Sequence, residues 1–164
     1  MTVTPDATLT RRERQREATF EEITRASREL LATGEELSLR AVASKMGMTA
    51  PALYRYVASY QELVDLVAYE IDQSATTTFA AAADALPAHD PGGRLILAVT
   101  EFRMWALAHP REFALVFANP ITDSACTRRE LLTAACSGHY FTGLMHEVWR
   151  HTGFAVPALD ELPD

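Results

Sequence analysis

The stretch LSLRAVASKMGMTAPALYRYVASYQEL, Leu37 to Leu63, holds two short apolar periodicities separated by Gly47. In the first, Leu39, Val42, Ala43 and Met46 recur at i, i+3, i+4 and i+7, one buried stripe at the helical period. Ser38 stands before it, where a side-chain oxygen can cap the first free amides. Gly47 follows the last apolar position, where a left-handed residue turns the chain out of a helix. The second helix opens with Thr49 as N-cap and Pro51 in its first turn, where a missing amide hydrogen costs nothing. Leu53 and Val57 point inward at i and i+4, which leaves Thr49, Ala50, Pro51, Ala52, Tyr54, Arg55 and Tyr56 facing outward or sideways. Two tyrosines and an arginine on so short a helix want acceptors, and DNA phosphates and base edges supply them. The spacing predicts a helix-turn-helix.

Working outward, Thr10 with Glu13 forms a capping box for a first helix that runs to about Thr33. Phe20, Ile23, Ala26, Leu30 and Leu31 are its inner stripe, and Gly34 is its stop. Ser59 with Glu62 opens a long fourth helix carrying Leu63, Leu66, Val67 and Ile71. The run Ala75 to Ala85 keeps helical propensity while losing bulk, and PAHDPGG (Pro87 to Gly93) reads as a loop. An apolar helix from Arg94 to His109 is expected to be buried on most faces. A short helix with Phe113, Val116 and Phe117 follows, ended by Asn119-Pro120, and a last helix spans about Thr127 to His151. No segment alternates at the strand period, so the expected class is all-α. It comprises an N-terminal three-helix DNA-binding bundle, residues 10–57, joined by a linking helix, 58–86, to a helical regulatory domain, 87–164. Residues 1–9 form a disordered tail.

The run GMTAPALYRYV, preceded by LRAVASKM and a longer amphipathic helix, resembles the DNA-binding domain of the TetR family of bacterial transcriptional regulators. The resemblance covers about residues 10 to 75. FRMWALAHPREFALVFANP, Phe102 to Pro120, is similar to the regulatory domain of the family subgroup with a tryptophan and a His-Pro break. The resemblance implies a one-component regulator, a repressor by family default, that binds a palindromic operator in double-stranded DNA as a homodimer and is released by a small apolar or amphipathic effector. Arg40 is the candidate for reading a base, since a guanidinium can bind guanine O6 and N7 together. Thr49, Ala50, Pro51 and Ala52 offer hydroxyl and apolar contacts, and Lys45, Tyr54, Tyr56 and Tyr60 are expected on phosphates, with Arg55 beside them. Tyr56 stands where the family usually has histidine and Tyr60 where it usually has lysine. The chain also stops at Asp164 after VPALDELPD, before the two helices that pair in family dimers.

The net charge of −7 divides unevenly. Residues 1–60 hold nine Lys and Arg against eight Asp and Glu, and the remainder six against fourteen. Four arginines crowd between Arg11 and Arg16, a placement suited to phosphate contact or to the adjacent minor groove. No apolar run reaches the roughly eighteen residues of a membrane span, and the polar N-terminus lacks a signal peptide, so a cytoplasmic protein without membrane contact is expected. Cys126 and Cys136 lie ten residues apart without ligand spacing, which argues against zinc and reads as free thiols. Neither G-x-S-x-G, a phosphate loop nor HExxH occurs, so no catalytic residue, metal or cofactor is expected, and the chain reads as a non-enzyme.

Phe102, Trp105, Phe113, Phe117, Tyr140, Phe141 and Met145 give the second half a content suited to an apolar pocket between helices, with His139 as a polar group; an ordinary packed core fits the same residues. The alternative reading is a helical ligand- or partner-binding protein with weakened DNA binding.

Overall fold

The computed structural model of the protein describes residues 10–118 and 136–155. The elements among them are α1 (Arg11–Thr33), α2 (Leu39–Lys45), α3 (Ala50–Leu53), α4 (Tyr60–Ala83), α5 (Pro91–Ala108), α6 (Pro110–Phe113) and α7 (Cys136–Thr152), with a π turn at Ala114–Ala118. The fold is all-α. The expected tail Met1 to Leu9, the Asn119-Pro120 break, Cys126, the start of the last helix near Thr127 and the tail beyond Ala155 lie outside the described residues.

The described chain gathers into two compact units. One runs to Ile71 and takes in the segment from His109 to Ala118; the other holds Asp72 to Ala108 and α7. The His109–Ala118 segment therefore groups with the helix-turn-helix rather than with its sequence neighbours α5 and α7.

In the first unit α1 starts with the capping box expected of Thr10 and Glu13. The Glu13 amide donates to the Thr10 hydroxyl, and the Glu13 carboxylate accepts from the Thr10 amide at 2.7 Å. Hydrogen bonding from Thr10, its backbone amide first and then its side chain, holds the Glu13 carboxyl below its usual range. Gly34, at φ +82°, ends the helix with paired bonds from its own amide to the Leu31 carbonyl and from the Glu35 amide to the Leu30 carbonyl. Ile23, Val42, Leu53, Val57, Leu63, Val67 and Ile71 are fully buried and form the core, while Phe20 is only half-buried.

The second unit closes around Phe79 and the small residues Ala75, Ala83 and Ala98, with Leu144 buried beside them. Arg94 ties its helices together at the rim, donating to Asp84 at 2.7 Å and to Glu147 at 2.8 Å.

Three expectations change here. PAHDPGG is not all loop: α5 begins at Pro91, because the Asp90 side chain accepts from the Gly93 amide and Pro91 fits the first helical turn. Nor is α5 buried on most faces, since Ile96 is 70% and Leu107 63% exposed, with Val99 and Met104 also outward. Its packing partners cover one side only, where Ala98 is buried and Leu95, Phe102 and Trp105 meet the core. The Ser59 box is half-formed: its hydroxyl accepts from the Glu62 amide, but Glu62 reaches the Ala58 amide instead of that of Ser59.

Candidate nucleic-acid interface

Ser38 caps α2 by accepting from the Ala41 amide at 3.2 Å, and Gly47, at φ +66°, turns the chain before α3. Thr49 occupies the N-cap position of α3 by its backbone, yet its hydroxyl makes no capping bond. That hydroxyl stays exposed beside Pro51 at the open end of the helix. α3 is regular for only four residues, and the chain then tightens into turns through Tyr56, with the Tyr56 amide donating to the Leu53 carbonyl at 2.8 Å. Leu53 and Val57 anchor this piece in the core, so the rest of its surface faces out.

On that surface the candidate residues differ in their freedom. Arg40, Thr49, Pro51 and Arg55 are exposed, as are Tyr54 at 51% and Tyr60 at 52%; Ala50, Ala52 and Tyr56 are half-buried. Lys45 is engaged: its ammonium lies 3.1 Å from Glu29 of α1.

Tyr56 brings in a neighbour that motif spacing does not show. Its ring meets Phe20 of α1 edge-on at 5.9 Å, and the Arg16 guanidinium lies over the opposite partner, 5.4 Å from the Phe20 centroid. This stack draws α1's first turns toward the end of the α3 segment. Together Arg11, Arg12, Gln15, Arg16, Arg55 and Tyr56 line a cavity of about 640 Å³. Four guanidiniums and a phenol offer donors to an anion with several oxygens, the chemistry of a backbone phosphate. The crowding of arginines between residues 11 and 16 was legible in the sequence; that Arg55 and Tyr56 share their cavity was not.

The residues expected to line an effector pocket fall into separate places. Phe102, Trp105 and Phe141 surround Phe79 with ring centroids 5.6, 6.0 and 6.2 Å away, and Tyr140 packs on Phe141 at 5.5 Å. Phe113 and Phe117 stack on each other at 5.0 Å in the first unit. His139 and Met145 are exposed on α7. Phe79, the hub, was missed in the sequence, although it is the one aromatic in an alanine- and threonine-rich run. The Tyr140 hydroxyl is buried without a hydrogen-bond partner; burial first, then Asp84, push its pKa above the ordinary value of 10.0. Among the described residues no group of His, Cys, Asp and Glu could hold a metal, and no helix is long and apolar enough to cross a membrane.

Over 85 residues the chain is 34% identical to the HTH-type transcriptional regulator Rv1816 of Mycobacterium tuberculosis and, equally, to Mb1846 of Mycobacterium bovis. The chain is similar to helix-turn-helix regulators. The match takes in 52% of this chain and 36% of each relative, so the chain spans little more than a third of their length. The crystal structure of SCO4313, a protein assigned a regulatory role in name, superimposes with a TM-score of 0.60 and 27% identity, covering 91% of this chain and 68% of that one. No protein-family model matches the chain.

Proposed function

We propose that this chain is a sequence-specific, TetR-like transcriptional repressor that binds a palindromic operator as a homodimer and leaves it when a small apolar or amphipathic effector binds. The observation that carries the reading is the outward face of the α2–α3 unit. There Arg40, Thr49, Pro51, Tyr54 and Arg55 are exposed on a unit whose Val42, Ala43, Leu53 and Val57 are buried. A rigidly seated helix with a free N-terminal end is what the major groove accepts. Arg40 reads guanine, Thr49 to Ala52 meet base edges and thymine methyls, and Tyr54, Tyr56 and Tyr60 hold phosphates, with the arginine-lined cavity beside Tyr56 seating another. The similarity to HTH-type transcriptional regulators supports the same reading. Effector binding among the aromatic residues of the second unit would act on the two heads of a dimer through α4, spoiling the one-turn spacing that successive major grooves require.

Selection of bound sequences from a random duplex pool tests this, with the solution mass recorded on the same sample. A dimer should enrich a palindrome. Arg40→Ala should blur one position of each half-site and weaken binding by about 1 to 3 kcal/mol. A pool that stays random, with binding that vanishes at moderate salt, refutes the specific regulator.

A further inference from the structure

The segment from His109 to Ala118 follows α5 in the sequence yet belongs to the compact unit of the helix-turn-helix, and two consecutive side chains fasten it there. Glu112, only 8% exposed, accepts from Arg28 Nε at 2.9 Å and from Nη2 at 3.2 Å, a forked charged pair. Arg111 donates from Nη1 to the Leu31 carbonyl at 3.2 Å. It supplies a second donor to an oxygen that already accepts from the Gly34 amide, and sets a cation at the negative end of the α1 dipole. Its approach requires glycine at residue 34. A Cβ there would lie 2.5 Å from Arg111 Nη2, quite apart from the left-handed φ of +82°.

The next residue of α1 holds the other partner. Glu29 is the group that pairs with Lys45 at the end of α2. Arg28 and Glu29 thus face two elements from one turn of helix, α6 on one side and α2 on the other. We propose that Arg111 and Glu112 are positioning residues for DNA recognition: by gripping the last turns of α1 they fix the support on which α2 and α3 stand. The proposal rests on the reading of α2–α3 as the DNA-contacting unit. It assigns to a segment 50 or so residues beyond the helix-turn-helix a role that touches no DNA. Only His109 separates α5 from α6 in the chain.

The test uses the full chain with the duplex enriched by selection and a scrambled duplex. Arg28→Glu and Glu112→Arg, made singly, should each weaken binding to the enriched duplex about tenfold, inside the 5- to 150-fold usual for coupling between sites. The double variant restores the pair with reversed polarity and should recover most of the loss; a change in charge alone would instead make Glu112→Arg, two units more positive, bind DNA more tightly. Arg111→Lys should weaken binding as well, because the lysine side chain is one bond shorter and its ammonium falls short of the Leu31 carbonyl that Nη1 reaches. Where a charge reversal lowers the helical circular dichroism, Glu112→Gln, close in shape and uncharged, takes its place. Arg94→Met, which breaks the Asp84 and Glu147 pairs of the other unit, should leave affinity unchanged. An enriched duplex that every grip variant binds as the wild type does overturns this proposal alone. So does a loss on Arg94→Met as large as that on the grip variants. A wild-type chain that enriches nothing overturns the regulator reading and takes the grip with it.

Discussion

On the proposed regulator reading, salt dependence separates the cations that would meet DNA from those the fold has already engaged. Arg12 on α1 and Arg55 just past α3 share the cavity beside Tyr56, and neither forms an ion pair among the described residues. If each neutralises one backbone phosphate, each contributes about 0.9 to the slope of log K against log salt, so Arg12→Gln with Arg55→Gln should make that slope about 1.8 shallower per bound protomer. Between 50 and 200 mM salt, a fourfold change, the wild-type chain should then lose about tenfold more affinity than the double variant. Lys45→Gln is the contrast. Its ammonium already sits 3.1 Å from Glu29, so its loss should change the slope by clearly less than either arginine does. Fluorescence anisotropy of a labelled duplex over that salt range measures all three slopes. Parallel lines for wild type and the arginine double variant would show that the cavity is not a phosphate seat, whatever the absolute affinities.

The second unit yields two further predictions. Phe79→Ala should destabilise that unit by about 3 to 5 kcal/mol, because the ring is 1% exposed and meets three others; urea titration followed on Trp105 reads it, and a loss below about 1 kcal/mol would mean the cluster is not a packed core. Tyr140→Phe should be neutral or stabilising by about 1 kcal/mol, since the hydroxyl it removes is buried without a partner. The same group gives the pH dependence. A folded pKa raised above 10.0 means that the native state holds the phenol proton longer than the unfolded chain, so its contribution is complete below pH 10 and is lost as pH rises through the folded pKa. Absorbance titration at alkaline pH should show a late-ionising tyrosine that Tyr140→Phe abolishes; a titration unchanged by the substitution would refute the assignment.

What was legible in the sequence is what local chemistry decides. Thr10, Ser38, Gly34 and Gly47 act on their own or adjacent turns, and the capping bonds and positive φ values stand where the residue types require them. The stripe through Leu39, Val42, Ala43, Met46, Leu53 and Val57 is likewise a property of period: Val42, Ala43, Leu53 and Val57 are buried, and Leu39 and Met46 at the ends of α2 are half-buried. Apolar content is a different kind of information: it measures how much surface would gain by burial, not where a partner lies. For α5 that distinction matters, since Ile96 and Leu107 are as apolar as Leu95 yet face away from the only helices packed on it among the described residues. The run around Phe79 hides its function for the converse reason. Its alanines look like an absence of core, but Ala75 and Ala83, with Ala98 of α5, are small enough to let the rings of Phe102, Trp105 and Phe141 close on Phe79.

Charges are the least legible of all, because a sequence gives the sign of a side chain and not its partner. Arg28 and Glu112 are 84 residues apart and no periodicity relates them, whereas the fold makes them one fork. Lys45 shows the consequence for function. On the sequence it is a cation expected on a phosphate; in the fold it pairs with Glu29, and releasing it to a phosphate would require giving up that pair. On the proposed regulator reading, the attraction of this face for DNA is therefore set by Arg11, Arg12, Arg16, Arg40 and Arg55, which form no ion pair among the described residues, and all but Arg40 line the cavity beside Tyr56.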